Sequence, residues 1–219
     1  MNTPLTAADG HTLDCWMQPA EGTARGGLVI LQEIFGVTDQ LKGVANRYVA
    51  QGLNVAIPAL FDRQRRDAVI PFADGSEGRE MMMASKLDET MMDVDAAVKA
   101  LAAPGGKVAV MGFCWGGGLA IRAAQELDIA CGVAFYGTRL DQYLDKSTNV
   151  PVLGHFGTQD DHVPAEMLAA AKEAWPTLEV HMYETGHAFA NDARPGFYSA
   201  ENAELAHERT TAFLAMHLG

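Results

Sequence analysis

The sequence predicts an α/β fold in which helices cover both faces of a mostly parallel β-sheet. Three observations favour this class. Short apolar runs of strand length alternate with segments whose apolar residues recur at helical spacing. Some of these runs, such as residues 28–31, are apolar at every position, as expected of central strands buried on both faces. The length of 219 residues suffices for a substantial core, so we expect a single domain over residues 1–219.

Composition and charge disfavour several classes of function. The chain carries 16 Lys+Arg against 28 Asp+Glu, a net charge of −12, which argues against binding to nucleic acid or to an acidic membrane. It begins without the features of a signal peptide, and no apolar run approaches the roughly 20 residues of a membrane span. Its three cysteines do not form the framework of a disulfide-rich secreted protein. We therefore expect a cytoplasmic monomer or small homo-oligomer that acts on a small molecule.

The N-terminal half predicts three strands, two helices and one long loop. The strands are expected at residues 12–17, 28–31 and 53–57. The first of them is expected to cover a sheet edge. Thr38 or Asp39 can cap a helix that continues to Gly52. Residues 60–78 are polar and predict a loop of a length that is often functional, and the methionine-rich segment 79–99 predicts one long helix packed on the sheet.

In the C-terminal half, strands and helices alternate regularly. A strand begins at Lys107 and leads into a glycine-rich turn, and a helix is predicted from residue 119 to 127. Further strands are predicted at residues 129–136, 150–156 and 178–183, and further helices at residues 165–175 and 200–218. Strands that alternate with helices imply right-handed crossovers, and in such sheets ligands bind beyond the carboxyl ends of the strands.

Cys114 lies on the turn between the strand that begins at Lys107 and the following helix, within Gly-Phe-Cys-Trp-Gly-Gly. A nucleophile elbow has this layout, because the strand aims the nucleophile at the edge of the sheet while flanking glycines permit a strained backbone. A free cysteine is more commonly a small buried hydrophobe, and this is the interpretation we favour for Cys15 and Cys131. The glycines give a core cysteine no advantage, so Cys114 is predicted to be a nucleophile.

Two later strand ends supply partners for a thiol nucleophile. Asp160 and Asp161 follow the strand at 150–156, and His187 follows the strand at 178–183. Nucleophile, acid and histidine in this order are typical of α/β-hydrolases. A base must activate the thiol, and an acid must orient that base, so His187 is predicted to be the base and either aspartate the acid. His162 is a weaker rival base, because it shares its loop with the acid.

Four motifs lie in order along nearly the whole chain. They are Gln-Glu-Ile-Phe-Gly at 32–36, Gly-Phe-Cys-Trp-Gly-Gly at 112–117, Gly-x-x-Asp-x-x-Val-Pro at 157–164 and Gly-His-Ala-Phe at 186–189. Together they resemble the dienelactone hydrolase family, whose members are also called carboxymethylenebutenolidases. The resemblance implies an α/β-hydrolase fold, no cofactor and no metal. It also implies a triad of Cys114, Asp160 and His187, because the acid of the family lies four residues before the proline.

The same resemblance assigns a role to Glu33, which the residues alone leave open between a surface carboxylate and a site group. The matching glutamate of the family holds the resting thiol neutral, then moves when substrate binds and accepts the proton of the thiol. Substrate-triggered ionisation would protect the cysteine from alkylation and oxidation. The oxyanion hole is expected to consist of the backbone N–H groups of Ile34 and Trp115.

Substrate recognition is where this sequence departs from the family. The members of the family that hydrolyse dienelactone resemble one another in holding its carboxylate with two arginines, and in this sequence Asn191 stands at the position of one of them. Arg79 is the best match for the other, and Arg194 is a possible substitute for the missing one. Losing one bidentate partner weakens carboxylate recognition. Phe35, Trp115 and Tyr136 are expected to line the substrate pocket.

Taken together, the sequence predicts a cysteine-dependent hydrolase of lactones or carboxylic esters that forms an acyl-enzyme on Cys114. A broad-specificity carboxylesterase or thioesterase is the alternative within the enzymes. A non-catalytic small-molecule binding protein on the same fold is the alternative from another class, since a fold alone does not establish a function.

Overall fold

The computed structural model describes residues 2–102 and 106–219, and within them it contains eight strands and six α-helices. The strands are β1 (Asn2–Thr6), β2 (Thr12–Gln18), β3 (Gly26–Leu31), β4 (Leu53–Pro58), β5 (Val108–Phe113), β6 (Cys131–Phe135), β7 (Val152–Gly157) and β8 (Leu178–Tyr183). The helices are α1 (Asp39–Val49), α2 (Ser76–Ala84), α3 (Leu87–Ala102), α4 (Trp115–Glu126), α5 (Ala165–Ala174) and α6 (Ala200–Leu218), and a short 3₁₀ helix covers Leu140–Tyr143.

The strands form one mostly parallel sheet, in the order β1-β2-β4-β3-β5-β6-β7-β8. β3 pairs with β4, β6 with β7 and β7 with β8 in parallel, whereas β1 with β2 and β2 with β4 are antiparallel. Every residue of β3, β5, β6 and β7 is buried, which explains why these strands consist of apolar residues and glycine, apart from His155 in β7. The predicted fold class, α/β with helices around a mostly parallel sheet, is confirmed.

Contacts between Cα atoms divide the chain into two compact units, with the boundary inside β5. The first unit runs to Ala109 and includes Leu218, and the second runs from Val110 to His217 and includes Gly219. In the first unit α1 packs on β4, and α3 packs on β3 and β4. In the second unit α4 packs on β6. The expectation of a single domain over residues 1–219 stays a prediction.

The N-terminal edge of the sheet differs from the prediction. β1 was not predicted from the sequence, and it occupies the edge that the segment at residues 12–17 was expected to cover. Pro4 and alternating polar residues mask β1 in the sequence. A proline has no N–H to give to a ladder, so it is tolerated in an edge strand such as this one. β2 lies one position further in and pairs with both β1 and β4.

The methionine-rich segment forms two helices, so the prediction of one long helix over residues 79–99 is wrong. α2 ends where Ser85 adopts an extended backbone (φ −70°, ψ 133°), and its hydroxyl donates to the carbonyl of Met81 at 2.9 Å. Serine can satisfy the backbone in this way, which allows a helix to end without a glycine or proline signal. α2 also begins at Ser76, inside the predicted loop of residues 60–78.

Two predicted boundaries around the glycine-rich turn also shift. α4 begins at Trp115 and not at residue 119, so its first turn contains the three glycines that propensity places outside a helix. Packing explains them, because a Cβ on Gly117 would lie 2.7 Å from Cα of Gly137 and one on Gly118 would lie 2.3 Å from the carbonyl oxygen of Thr138. β6 ends at Phe135, one residue short of the prediction, because Tyr136 has a φ of 39°.

None of the helices in residues 2–102 and 106–219 is both long and apolar enough to cross a membrane.

Candidate active site

Cys114 has a backbone conformation that L-residues rarely adopt, with φ 54° and ψ −117°. Its N–H donates to the carbonyl of Phe135 at 3.0 Å, and its carbonyl accepts from the N–H of Gly117 at 3.0 Å. The turn is tight enough that a Cβ on Gly112 would lie 1.9 Å from the carbonyl oxygen of Gly116. Gly112 is therefore required for the tight turn at Cys114. Cys114 is partly exposed, whereas Cys15 and Cys131 are buried.

Asp160 and His187 form a buried, hydrogen-bonded pair. Nδ1 of His187 lies 2.8 Å from Oδ2 of Asp160, whose side chain is 0 % exposed, against 11 % for His187. The other carboxylate oxygen of Asp160, Oδ1, accepts from the backbone N–H of His162 at 2.9 Å. Asp161 is exposed. The carboxylate at 160 thus has the position that an acid orienting an imidazole requires.

The surroundings of His187 favour its charged form. Burial lowers the pKa of the imidazole, but the hydrogen bond with Asp160 and the interaction with Cys114 outweigh it and raise the pKa to about 10. Nε2 of His187 is buried, and within the described residues it has no partner at standard hydrogen-bond geometry. The interaction with the cysteine is therefore looser than a formed hydrogen bond, as is common before a substrate is bound.

Aromatic rings surround His187 in the second unit. The ring centroid of Tyr136 lies 5.1 Å from that of His187 and 5.4 Å from that of Phe189. The ring of His162 is closer, at 4.4 Å from His187. Tyr136 and Ala188 both have positive φ values, 39° and 58°, so two of the segments that hold this imidazole have unusual backbones. The structure brings Tyr136, predicted as a pocket wall, against the predicted base.

A buried polar network lies beneath the two loops that carry Asp160 and His187. His155 on β7 is 0 % exposed, and its ring nitrogens contact the hydroxyls of Tyr183 at 2.8 Å and Thr210 at 3.0 Å. Burial lowers the pKa of His155 well below its usual range, so the imidazole is neutral. Tyr183, the last residue of β8, also accepts from Arg209 at 3.1 Å. The sequence motifs do not predict this network, although His155, a histidine inside an apolar strand, is a signal for it.

Three predicted site residues of the first unit, Glu33, Ile34 and Phe35, lie directly after the end of β3. Glu33 is buried, and its backbone carbonyl accepts from the Nε2 of Gln32 at 3.2 Å. Phe35 is buried and packs on Phe72 at a centroid distance of 4.8 Å. A Cβ on Gly78 would lie 1.8 Å from the carbonyl oxygen of Ile34, so α2 packs directly on this segment.

The predicted anion-binding residues do not share one environment. Arg79, the best match for one arginine of the family, is exposed and is the fourth residue of α2. Asn191 is buried, and its Oδ1 accepts from the N–H of Ala193 at 3.2 Å. Arg194 places its guanidinium carbon 4.0 Å from the ring centroid of Phe197. Side chains already engaged within their own turn are less suited to hold a substrate carboxylate, and the role of Asn191 in substrate binding stays a prediction.

In the described part of the chain, no group of three or more His, Cys, Asp or Glu side chains is placed to hold a metal ion. The chemistry that the geometry supports is nucleophilic, with Cys114 on an elbow and Asp160 and His187 paired in the same unit.

Comparison with known proteins agrees with this geometry. The family model for the dienelactone hydrolase family matches residues 16–218. A carboxymethylenebutenolidase from Pseudomonas putida is 35 % identical over 224 residues, covering 96 % of this chain and 94 % of its own length. A carboxymethylenebutenolidase 1 from Cupriavidus pinatubonensis is 30 % identical, covering 97 % and 95 %.

Solved structures with lower identity share the fold. A dienelactone hydrolase-like promiscuous phosphotriesterase from metagenomic libraries is 21 % identical, covers 100 % of this chain and 99 % of its own, and superposes with a TM-score of 0.79. An esterase from Pyrococcus furiosus is 18 % identical, covers 100 % and 93 %, and gives a TM-score of 0.73. By its sequence and its α/β-hydrolase fold, this chain belongs to the dienelactone hydrolase family and is a hydrolase.

Proposed function

We propose that the protein hydrolyses lactones or carboxylic esters through an acyl-enzyme on Cys114. One observation carries the proposal: a buried Asp160–His187 pair, bonded at 2.8 Å, interacts with a cysteine whose backbone has the geometry of a nucleophile elbow. The carboxymethylenebutenolidase relatives support a lactone or ester as substrate class.

Acylation begins when the Cys114 sulfur attacks the carbonyl carbon of the substrate. The thiol gives its proton to Glu33 in this proposal, and the imidazolium of His187 stabilises the thiolate, in keeping with the pKa of His187 of about 10 beside that sulfur. The oxygen of the tetrahedral intermediate accepts from the backbone N–H groups of Trp115 and Ile34 in this proposal. When the intermediate collapses, His187 donates its proton to the leaving oxygen, and a thioester on Cys114 remains.

Deacylation uses the same imidazole as a base. His187 takes a proton from water through Nε2, the hydroxide attacks the thioester carbonyl, and the second intermediate expels the Cys114 sulfur as a thiolate. The proton held by Glu33 then returns to the sulfur and restores the neutral thiol. The product is a carboxylic acid that ionises to a carboxylate and a proton. The hydrogen bond from Nδ1 to Asp160 fixes the ring so that Nε2 is the nitrogen that exchanges protons in both half-reactions.

Glu33 is proposed to control when the thiol ionises. It is buried at the end of β3, and the resemblance of residues 32–36 to the family motif supports the role of a proton acceptor. A buried carboxylate can accept a proton more readily than an exposed one, since burial disfavours its charge. In this proposal the resting enzyme carries a neutral thiol, and substrate triggers the transfer.

A broad-specificity carboxylesterase or thioesterase is the second candidate, favoured by the exposed position of Arg79 and the buried position of Asn191, which weaken the case for a carboxylate anchor. A reducing cytoplasm is the proposed location, because all three cysteines are free. A non-catalytic binding protein would not require the paired Asp160 and His187, which disfavours that alternative.

Replacing the nucleophile tests the proposal directly. Cys114→Ala is expected to lower kcat/KM for an activated aryl ester by about 10⁴-fold or more while leaving the fold intact, because glycines and not the thiol set the elbow. Cys114→Ser is expected to retain only a trace, since a hydroxyl is far less acidic than a thiol. Cys131→Ala, at a buried free cysteine, is the matched control. Activity of Cys114→Ala within tenfold of the parent would remove Cys114 from this role.

The roles of the acid and the base are tested by combining substitutions. His187→Ala and Asp160→Asn are each expected to lower kcat by roughly 10³-fold or more, and the double variant is expected to be little worse, because triad members act as a unit. Asp161→Asn is the matched control and should be mild, since Asp161 is exposed. If Asp161→Asn costs more than Asp160→Asn, the assignment of the acid is wrong.

The gate at Glu33 is tested by alkylation. If Glu33 keeps the resting thiol neutral, iodoacetamide should modify Cys114 slowly in the free enzyme, and a substrate-like ligand with a carboxylate should raise the ultraviolet absorbance of the thiolate. Glu33→Gln should lose that response, because an amide fills the same space but cannot accept the proton. A fully ionised thiolate in the free enzyme near pH 7, unchanged in Glu33→Gln, would show that there is no gate and that the site is a permanent thiolate–imidazolium pair.

A further inference from the structure

His162 presents an imidazole to solvent directly beside the imidazole of His187. The centroids of the two rings are 4.4 Å apart with an interplanar angle of 53°, and His162 is exposed. The backbone N–H of His162 is the donor to Oδ1 of Asp160, at 2.9 Å. The main chain of this residue therefore holds the acid of the pair, while its side chain covers the base.

At this distance, a charge on one ring changes the protonation of the other. Two positive charges 4.4 Å apart, screened as in bulk water, shift each other's pKa by roughly 0.7 unit, and a less polar environment increases the shift. The exposure of His162 favours the solvent-like end of that range, whereas the burial of His187 favours a larger shift. Each protonation then weakens the next one, and the two rings titrate as a coupled pair.

We propose that His162 is a positioning residue whose charge sets the lowest pH at which His187 can act as a base in deacylation. This inference rests on the proposed acyl-enzyme mechanism. When His162 is protonated, its charge opposes protonation of His187, so the neutral, basic form of His187 persists to lower pH. Water, and not the thiol, is the proton donor to His187 in that step.

The other groups that face His187 in the second unit determine when this effect matters. They are Asp160 after β7, Cys114 on the elbow and Tyr136 after β6, and Asp161 is the charged neighbour of His162 in its own loop. In the free enzyme, both the Cys114 and the Asp160 interactions raise the pKa of His187 against the effect of burial. In the acyl-enzyme the sulfur is esterified and carries no charge, so its contribution is lost. The pKa of His187 then falls towards the usual range of an imidazole.

Two substitutions bracket the effect of this charge. His162→Gln is neutral at every pH, and His162→Lys is positive throughout the acid range, while both retain the main-chain N–H that bonds Asp160. The acid limb of the kcat–pH profile for an activated ester should therefore lie highest in pH for His162→Gln, lower for the parent and lowest for His162→Lys. The acid limbs of His162→Gln and His162→Lys should differ by roughly 0.7 pH unit or more, and 1 M salt should reduce this difference.

A matched control removes an imidazole elsewhere in the same unit. His217 lies in the last turn of α6, where its ring packs on Phe213 at 4.5 Å. His217→Gln is expected to leave the acid limb at the same pH as in the parent. The position of the limb is the readout, because a general loss of structure would lower the plateau without moving the limb.

A measurement without turnover separates this inference from the proposed function. In the Cys114→Ala protein, where the thiolate is absent, NMR titration of the His187 ring should give the same order of pKa values: His162→Gln above the parent, and His162→Lys below it. Equal His187 pKa values in the three proteins, or the reverse order, would overturn the role of His162. If the NMR order is found but no variant or parent hydrolyses an ester, the coupling exists and the proposed function fails instead. If His162→Lys does not fold, His162→Gln against the parent at low and at 1 M salt decides the question.

Discussion

The strained backbone of Cys114, with its positive φ, is the constraint on which the arrangement of the second unit depends. A non-glycine residue with φ 54° and ψ −117° costs on the order of 1–3 kcal/mol, and surrounding contacts must hold it in place. The carbonyl of Phe135 accepts from its N–H, and close approaches at Gly112 and Gly117 leave no room for a side chain. These contacts fix β5, α4 and β6 around Cys114, which is partly exposed.

The ionisation of His187 links this geometry to chemistry and to stability. A pKa raised from 6.5 to about 10 means that folding favours the imidazolium, chiefly through Asp160 and Cys114 against the effect of burial. The corresponding stabilisation is fully present below the pKa of the unfolded chain, near 6.5, and it is lost as the pH rises through about 10. In the proposed mechanism, esterification of the Cys114 sulfur removes part of the preference of His187 for its protonated form. The imidazole of His187 therefore changes from a stabilising cation to a base between the two half-reactions.

The sequence predicts the fold well where burial alone determines the pattern. Strands such as β3 and β5 are apolar at every position because both of their faces are covered, and the sequence predicts them as strands for that reason. It predicts poorly where tertiary contacts override propensity. The helical glycines at 116–118 are required by the packing of Gly137 and Thr138, and the break at Ser85 depends on a hydroxyl that satisfies the backbone, so neither is visible as a local signal.

The candidate site shows the same division. The chain order of Cys114, Asp160 and His187 follows from motifs at strand ends, and the structure joins the last two by a hydrogen bond. Other contacts depend on how loops and α6 fold over the sheet. They are the close packing of His162 on His187 and the buried hydrogen bonds of His155, and the spacing of residues along the sequence does not predict them. The side-chain oxygen of Asn191 accepts a hydrogen bond from the N–H of Ala193 in its own turn. The presence of asparagine in place of the arginine of the family does not reveal this contact.

Capture of the covalent intermediate is the most direct test of the central claim. The parent enzyme would be mixed rapidly with an activated aryl ester and quenched in acid, which protonates His187 and stops deacylation, and its peptides would be analysed by mass spectrometry. The account predicts a burst of aryl alcohol close to one equivalent per enzyme and an acyl group, released by hydroxylamine, on the peptide that contains Cys114. Turnover with no acyl group on that peptide, or with the group on another residue, would contradict it.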